Sequence, residues 1–201
     1  MAEHLKSLPR SFYLRPTLQV AQDLLGKYIV RSTKNTLLTS KIVEVEAYCK
    51  NDPASHAFRG RTKRNDVMFW EGGHLYVYFT YGMHFCANIV TNRENIGEAV
   101  LIRAVEPIAG IEAMIKNRFP QLQFLNRRAL IQLTNGPAKF CQAFGITRSE
   151  NGIDLLDSEF SILDREPIPP TLIKRSTRIG IQKGKEKKWR FFLSDNLWIS
   201  K

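Results

Sequence analysis

The sequence predicts a single α+β domain in which helices and strands are mixed along the chain. Its 201 residues suit one domain with a sizeable core better than two very small domains. Helical and strand patterns follow one another without a low-complexity linker or an internal repeat. We therefore expect residues 1–201 to form one unit, with residues 1–10 as a flexible N-terminal tail.

The first elements follow from the spacing of apolar residues. Between Pro16, which suits a first helical turn, and Gly26, which suits a helix stop, apolar side chains recur on one helical face. Strands are predicted next, the second of them over residues 37–46. Glu44 and Glu46 share one face of it, because side chains alternate along a strand. They are either a repelling pair with tunable basicity or two solvent-facing residues.

Residues 49–74 predict a long loop, because they lack periodicity and are rich in glycine, asparagine and charged residues. His56, taken alone, is interpreted as a structural histidine. Four cations of the loop are candidates for phosphate contacts, although a solvated basic segment fits them equally well: Arg59, Arg61, Lys63 and Arg64.

A β-hairpin is predicted from residues 75–79 and 85–90, joined at Thr80-Tyr-Gly-Met83. A tyrosine just before the turn glycine projects from a hairpin tip instead of entering the core, which distinguishes Tyr81. By contrast, Tyr76 and Tyr78 taken alone are interpreted as core aromatics.

Residues 99–105 predict an apolar strand that contains Arg103. A buried arginine requires a carboxylate or a substrate as its partner. Residues 107–119 predict an amphipathic helix. Its apolar stripe, interpreted as core, consists of Ile108, Ile111, Ile115 and Phe119.

The last part of the chain predicts one helix and two closing strands. The helix begins at Pro137 and stops at Gly145. Its first amides, helped by Lys139, are a candidate phosphate site, although many helices begin this way with nothing bound. The strands are residues 177–181 and 188–193.

Composition points to an anionic polymer as partner. The 30 Lys and Arg residues against 19 Asp and Glu residues give a formal net charge of +11. Such an excess is typical of nucleic-acid binders, although a soluble protein of a basic proteome also fits it. Three cysteines without a CxxC spacing indicate free thiols rather than disulfides or a zinc site. With no visible signal peptide and no spanning apolar run, we expect a cytoplasmic, nucleoid-associated protein.

From about residue 16 to residue 200, the chain resembles the alkyladenine (3-methyladenine) DNA glycosylase family. Seven motifs occur in the family's order, and together they make the match specific. They are Val20-Ala-Gln-Asp-Leu-Leu-Gly26, Ile42-Val-Glu-Val-Glu-Ala-Tyr48, Ser55-His-Ala-Phe58, Thr62-Lys-Arg-Asn65, Tyr76-Val-Tyr-Phe-Thr-Tyr-Gly-Met-His84, Leu101-Ile-Arg-Ala-Val-Glu-Pro107 and Asn135-Gly-Pro-Ala-Lys139.

The resemblance implies a curved antiparallel sheet surrounded by α-helices, with a protruding β-hairpin that enters DNA. It implies a monomer that acts on duplex DNA containing damaged purines, without a membrane, a metal or an organic cofactor. Such enzymes flip the damaged base into a pocket and hydrolyse its bond to the sugar. No lysine falls at a family catalytic position, which favours hydrolysis that leaves an abasic site without strand cleavage.

The family's functional positions carry over residue by residue. Glu46 matches the general base, with Arg103 and the carbonyl of Ile179 as the other contacts of the attacking water. The pocket positions are Tyr48, His56, Tyr78, Asn88 and Leu101, where Asn88 disfavours guanine's amino group. Tyr81 matches the wedge that fills the hole in the base stack, and Glu44 is assigned to support. The implied DNA-backbone contacts are Arg59, Arg61, Lys63, Arg64 and Lys139.

One segment departs from the family pattern, and two other functions remain open. Residues 70–74 replace a common Pro-Gly turn, which could alter the approach to the hairpin. A metal-dependent hydrolase would use Glu46, His56, His74 and His84, although their spacing is not typical of metal ligands. A catalytically silent module that binds damaged DNA or RNA on the same fold is the other alternative.

Overall fold

The computed structural model describes residues 6–122 and 126–200, and within them one antiparallel sheet dominates. The strands are β1 (Tyr28–Ser32), β2 (Leu37–Tyr48), β3 (Leu75–Thr80), β4 (His84–Thr91), β5 (Glu98–Ala109), β6 (Phe160–Leu163), β7 (Ile173–Ser176) and β8 (Arg190–Leu193). The helices are α1 (Arg10–Tyr13), α2 (Thr17–Asp23), α3 (Ile111–Arg118), α4 (Arg127–Ile131) and α5 (Pro137–Phe144), with three short 3-10 turns. The predicted α+β class is confirmed.

The sheet is curled into a half-barrel around its long central strand, β2. Strand order is β3-β4-β5-β2-β1-β6, and β8 pairs with both β2 and β7. β5 lies along one edge of β2. The other edge pairs first with β1 and then, from Glu44 to Glu46, with β8. The end of β2 that carries both glutamates is therefore enclosed on two sides.

The core lies between the sheet and its short helices. Val43 and Val45 are fully buried in it, on the face of β2 opposite to the glutamates. Helix α5 begins at Pro137 and ends before Gly145, as predicted, and it buries Phe140 and Phe144. Each such aromatic contributes about 1.5–3 kcal/mol of burial free energy. No helix among the described residues has the length and apolarity to cross a bilayer.

The helix predicted over residues 107–119 is wrong in its first part. Strand β5 continues to Ala109 because it keeps pairing with β2, and Ile108 is 45% exposed. The helix starts only after Gly110, whose φ of +75° favours glycine and whose added Cβ would lie 2.3 Å from the Leu37 carbonyl oxygen. Met114 is its buried residue, and the remaining stripe residues pack half-buried against the core.

One further prediction fails, and another lies partly outside the described residues. Residues 177–181 do not form a strand, because β7 ends at Ser176 and the chain then turns toward β2. The tail expected at residues 1–10 lies partly outside the described residues. In its described part, Ser7 bridges Leu163, and the N–H of buried Leu8 donates to the Ile162 carbonyl.

Candidate active site

A cavity of about 560 Å³ opens between the end of β2, the β3–β4 hairpin, the loop after β2 and the segment after β7. It brings together most residues predicted from the sequence. Those that line it are Tyr48, His56, Arg64, Tyr78, Tyr81, Asn88, Leu101, Arg103 and Ile179. Other lining residues include Met68, Tyr76, Cys86 and Lys183.

Glu46 lies at the inner end of this cavity and is fully buried. The Tyr48 hydroxyl donates to its Oε2 at 2.8 Å, and the Ile179 N–H donates to its Oε1 at 2.7 Å. Arg103 Nη1 lies 3.2 Å from Oε1. These three groups line the cavity, whereas Glu46 does not reach its surface. The solvent-facing alternative for Glu44 and Glu46 is therefore wrong, because neither side chain is exposed.

Arg103 reaches both glutamates from a local irregularity in the sheet. The β2–β5 register shifts on either side of the Glu44–Ala104 pair, and Arg103 lies in this irregular stretch. Such irregularities re-aim side chains. Its guanidinium contacts Glu44 as well as Glu46, which confirms that the embedded arginine has carboxylate partners.

Aromatic rings form the walls of the cavity. The rings of His56 and Tyr78 meet edge to face, with centroids 4.5 Å apart, and His56 Nδ1 lies 3.0 Å from the Tyr76 hydroxyl. Tyr76 is buried, as interpreted, whereas Tyr78 is half-buried and faces the cavity. Burial raises the pKa of Tyr76 to about 12, and burial followed by Cys86 raises the pKa of Tyr78. Both phenols stay neutral at physiological pH.

His56 belongs to the cavity wall and is not a structural histidine of the core. Its pKa is lowered, first by partial burial and then by the cation of Arg64. Its backbone carbonyl accepts from Asn65 Nδ2 at 2.8 Å, and the same amide also donates to the Gly60 carbonyl at 3.0 Å. Asn65 thereby orders the loop that presents the histidine.

Tyr48 is held by an ion pair that the sequence did not reveal. The Arg178 guanidinium lies 4.6 Å from the centroid of the Tyr48 ring and pairs with both oxygens of Asp52. Arg178 also donates to the Ala47 carbonyl at 2.9 Å. Burial raises the pKa of Tyr48 and the Glu46 carboxylate raises it further, so its hydroxyl remains a donor.

Asn88 and Leu101 are paired across β4 and β5, and both line the cavity. Both are 4% exposed, and Asn88 Nδ2 donates to the Tyr76 carbonyl at 3.2 Å. This bond fixes the orientation of the amide. Because Leu101 also pairs with Glu46 across β2 and β5, the pocket residues and the buried carboxylate share one rigid framework.

The hairpin tip is the exposed end of the site. Tyr81 is 81% exposed, and Phe79 and Met83 beside it are exposed as well. Tyr81 and Gly82 both have positive φ, at +52° and +67°, which is typical of type I′ turns. The departure at residues 70–74 lies at the other end of the hairpin, before β3, where Trp70 Nε1 donates to Asp66 and His74 bridges Asp154.

The predicted backbone cations fall into two groups. Arg59, Lys63 and Arg64 are exposed on the loop, and Arg61 is exposed but paired with Asp66 at 2.7 Å. Lys139 is half-buried outside the cavity lining, and its Nζ donates to Asn135 at 2.7 Å. Burial and the neighbouring Arg118 lower the pKa of Lys139.

The residues of the metal-hydrolase alternative are not brought together. Residues 6–122 and 126–200 contain no group of three or more His, Cys, Asp or Glu side chains placed to hold a metal ion. His74 lies outside the cavity lining, where Nδ1 is 2.7 Å from the Glu71 carbonyl and the ring packs on Trp70.

Comparison with known proteins gives the same assignment as the motifs. Residues 11–197 match the family model described as methylpurine-DNA glycosylase. A protein of Francisella tularensis, named as a candidate 3-methyladenine DNA glycosylase, is 49% identical over 188 residues, covering 92% of this chain and 94% of its own length. Proteins of the same name from Carboxydothermus hydrogenoformans and Methanoculleus marisnigri are 48% and 44% identical, over 96% and 97% of this chain and 98% and 99% of theirs. The chain therefore belongs to the methylpurine-DNA glycosylase family.

Proposed function

We propose that this protein starts base-excision repair by hydrolysing the N-glycosidic bond of damaged purines, 3-methyladenine among them, in duplex DNA. The observation that carries the proposal is the buried Glu46–Arg103 pair at the inner end of a cavity walled by Tyr48, His56 and Tyr78. A stacked base cannot reach a carboxylate at this depth, so the nucleotide has to leave the duplex before it reacts.

Glu46 acts as the general base that activates a water for attack on the sugar C1′. Its negative charge also stabilises the positive charge that develops on the sugar. Both carboxylate oxygens already accept from Tyr48 or Ile179, and Glu46 is fully buried. Each oxygen of a carboxylate has two lone pairs, so the Oε2 that accepts from Tyr48 can also accept from the water. Arg103 and the Ile179 carbonyl complete the contacts of that water.

The aromatic walls and the hairpin divide recognition between them. Tyr48, His56 and Tyr78 sandwich the flipped base, and their π faces attract alkylated purines that carry positive charge. Tyr81 fills the gap left in the base stack, which its 81% exposure at a hairpin tip supports. Asn88 disfavours the amino group of normal guanine, and Leu101 supplies apolar contact. The same pocket admits 7-methylguanine, hypoxanthine and ethenoadenine.

The reaction is monofunctional and leaves an intact strand with an abasic site. The cavity lining contains Lys183 but no lysine at a family catalytic position, so water is the nucleophile. The protein works as a monomer on the duplex. The exposed loop cations Arg59, Lys63 and Arg64 hold the phosphates, with weaker help from Arg61 and Lys139.

The direct test measures release of free 3-methyladenine from methylated duplex DNA in the presence of EDTA, with wild type beside Glu46→Gln. We expect release by wild type only, and full-length strands until the abasic sites are opened with alkali. The variant should still bind the duplex, because Gln keeps the shape of the side chain.

Three outcomes would contradict the proposal. Tight DNA binding by wild type without base release would support a recognition module instead. Loss of wild-type release in EDTA would support the metal-dependent alternative. Strand scission without alkali, with a borohydride-trapped adduct, would contradict the monofunctional mechanism.

A further inference from the structure

Glu44 is the second buried carboxylate of β2, and it accepts four hydrogen bonds. Its Oε1 accepts from Arg190 Nε at 2.6 Å, Arg103 Nε at 3.0 Å and Ser200 Oγ at 2.7 Å. Its Oε2 accepts the Ser200 N–H at 2.5 Å. Glu44 is fully buried, and of its donors only Arg103 lines the cavity, whereas Tyr48, Ile179 and Arg103 around Glu46 all line it.

Arg103 is divided between the two glutamates. Its Nε and Nη2 lie 3.2 and 3.1 Å from the same Ser200 Oγ, on the side of Glu44. Its Nη1 lies on the other side, 3.2 Å from Glu46. The Ser200 hydroxyl thus contacts Arg103 and Glu44 at once, and it fixes the rotation of the guanidinium.

The charges of this cluster balance. Glu44 and Glu46 carry two negative charges, and Arg103 and Arg190 carry two positive ones. If Arg103 faced Glu46 alone, it would form a closed pair with the carboxylate that has to receive the water. Glu44 and Ser200 keep part of the guanidinium engaged elsewhere, so that Glu46 is held but not enclosed by it.

We propose that Ser200, together with Glu44, is a positioning residue that sets the geometry of Arg103 at Glu46. This inference rests on the proposed function of that pair. A misplacement of about 1 Å at a reacting group can lower a rate roughly 100-fold, so a single hydroxyl at this position is enough to matter. Ser200 lies 156 residues from Glu44 in the chain, beyond the reach of any local motif.

The test compares Ser200→Ala with Ser200→Thr, which keeps the hydroxyl. The matched control is Asn196→Ala, because Asn196 anchors the same segment through Glu106 at 2.9 Å without contacting Arg103 or either glutamate of β2. Single-turnover base release from a 3-methyladenine duplex measures the chemistry. Affinity for a duplex with a tetrahydrofuran abasic analogue measures binding, and thermal unfolding measures folding.

We expect Ser200→Ala to lower the single-turnover rate about 10- to 100-fold while analogue affinity stays within about 2-fold. Ser200→Thr should recover most of the rate, and Asn196→Ala should stay close to wild type. Glu44→Gln should lower the rate further. If Glu44→Gln fails to fold, the comparison of Ser200→Ala with Ser200→Thr decides whether the inference holds.

A wild-type rate in Ser200→Ala would overturn the inference, and so would an equal loss in Asn196→Ala or a failure of threonine to rescue. In each case wild type still releases base, so the proposed function stands. If wild type releases none, the proposed function itself fails.

Discussion

The inner end and the outer end of the cavity follow opposite rules. At the inner end, three buried carboxylates meet three arginines: Glu44, Glu46 and Asp52 with Arg103, Arg178 and Arg190. At the outer end, the hairpin tip exposes Phe79, Tyr81 and Met83 to solvent. The inner end satisfies its charges within the protein, whereas the outer end presents apolar surface.

The difference follows from what each end must do. A buried charge without a partner is costly, so the inner groups are fixed before any substrate arrives, as preorganised catalysis requires. An exposed aromatic ring is buried only when a partner binds, so its apolar surface contributes to binding rather than to folding. We expect substitutions at the inner end to affect stability and chemistry, and the loss of an exposed side chain at the outer end to affect mainly DNA binding.

The largest effect is expected for Asp52→Asn, which leaves Arg178 buried without its counter-charge. Losing one partner of such a pair costs about 3–5 kcal/mol, or roughly 6–20 °C in melting temperature for a domain of this size. Asp66→Asn is the exposed control, because it removes the counter-charge of an ion pair with Arg61 that solvent screens, so its effect on the melting temperature should be much smaller. Equal shifts for both variants in thermal unfolding would break the comparison.

Tyr81→Ala tests the outer end. One base-stacking ring contributes about 1–3 kcal/mol, so affinity for lesion-containing duplex should fall about 5- to 150-fold. Binding to undamaged duplex and thermal stability should change little, since the side chain is 81% exposed. Fluorescence of a base analogue opposite the lesion would follow flipping. Equal losses on damaged and undamaged duplex would contradict the wedge assignment.

The loop cations sharpen the comparison within the outer end. Lys63→Ala should reduce the slope of log affinity against log salt by about one, as for one lost phosphate contact. Arg61→Ala should reduce it less, because Arg61 is paired with Asp66 and Asn95. Titrations at several salt concentrations measure both slopes. An unchanged slope in both variants would remove the loop from the DNA contacts.

The smallest effect concerns His56, which lies between the two ends. Its pKa is lowered in the folded protein by partial burial and by Arg64, so protonation below about pH 6.5 favours the unfolded chain. Its contribution to stability is complete above that pH and is lost as pH falls toward the lowered value. Between pH 7.5 and pH 5, the melting temperature of wild type should therefore fall slightly more than that of His56→Gln. Parallel losses would contradict the assigned direction.

The sequence predicted secondary structure correctly where helix start and stop residues or strand alternation decide it. Helix α5 followed from Pro137 and Gly145, and the shared face of Glu44 and Glu46 followed from strand alternation. The amphipathic spacing failed at Ile108 because pairing between β5 and β2 overrides helical periodicity there.

The site was predictable only where family motifs cover it. The Glu46–Arg103 pair was expected, and the structure adds that Glu44 shares the arginine. Asp52 and Arg178 meet across 126 residues, so no spacing rule links them. The contacts that were not predicted join the pocket residues to Glu44, Asp52 and Arg178, which do not line the cavity.

The turn at Tyr81 places two selective pressures on one residue. Left-handed φ costs a β-carbon residue roughly 1–2 kcal/mol, a cost that glycine avoids and asparagine reduces. A library randomised at position 81 and sorted for thermal stability should thus enrich glycine and asparagine. The same library sorted for repair of alkylated DNA in cells should return aromatic residues. The difference in residue frequencies at position 81 between the two pools would measure how far folding stability and repair activity favour different residues there.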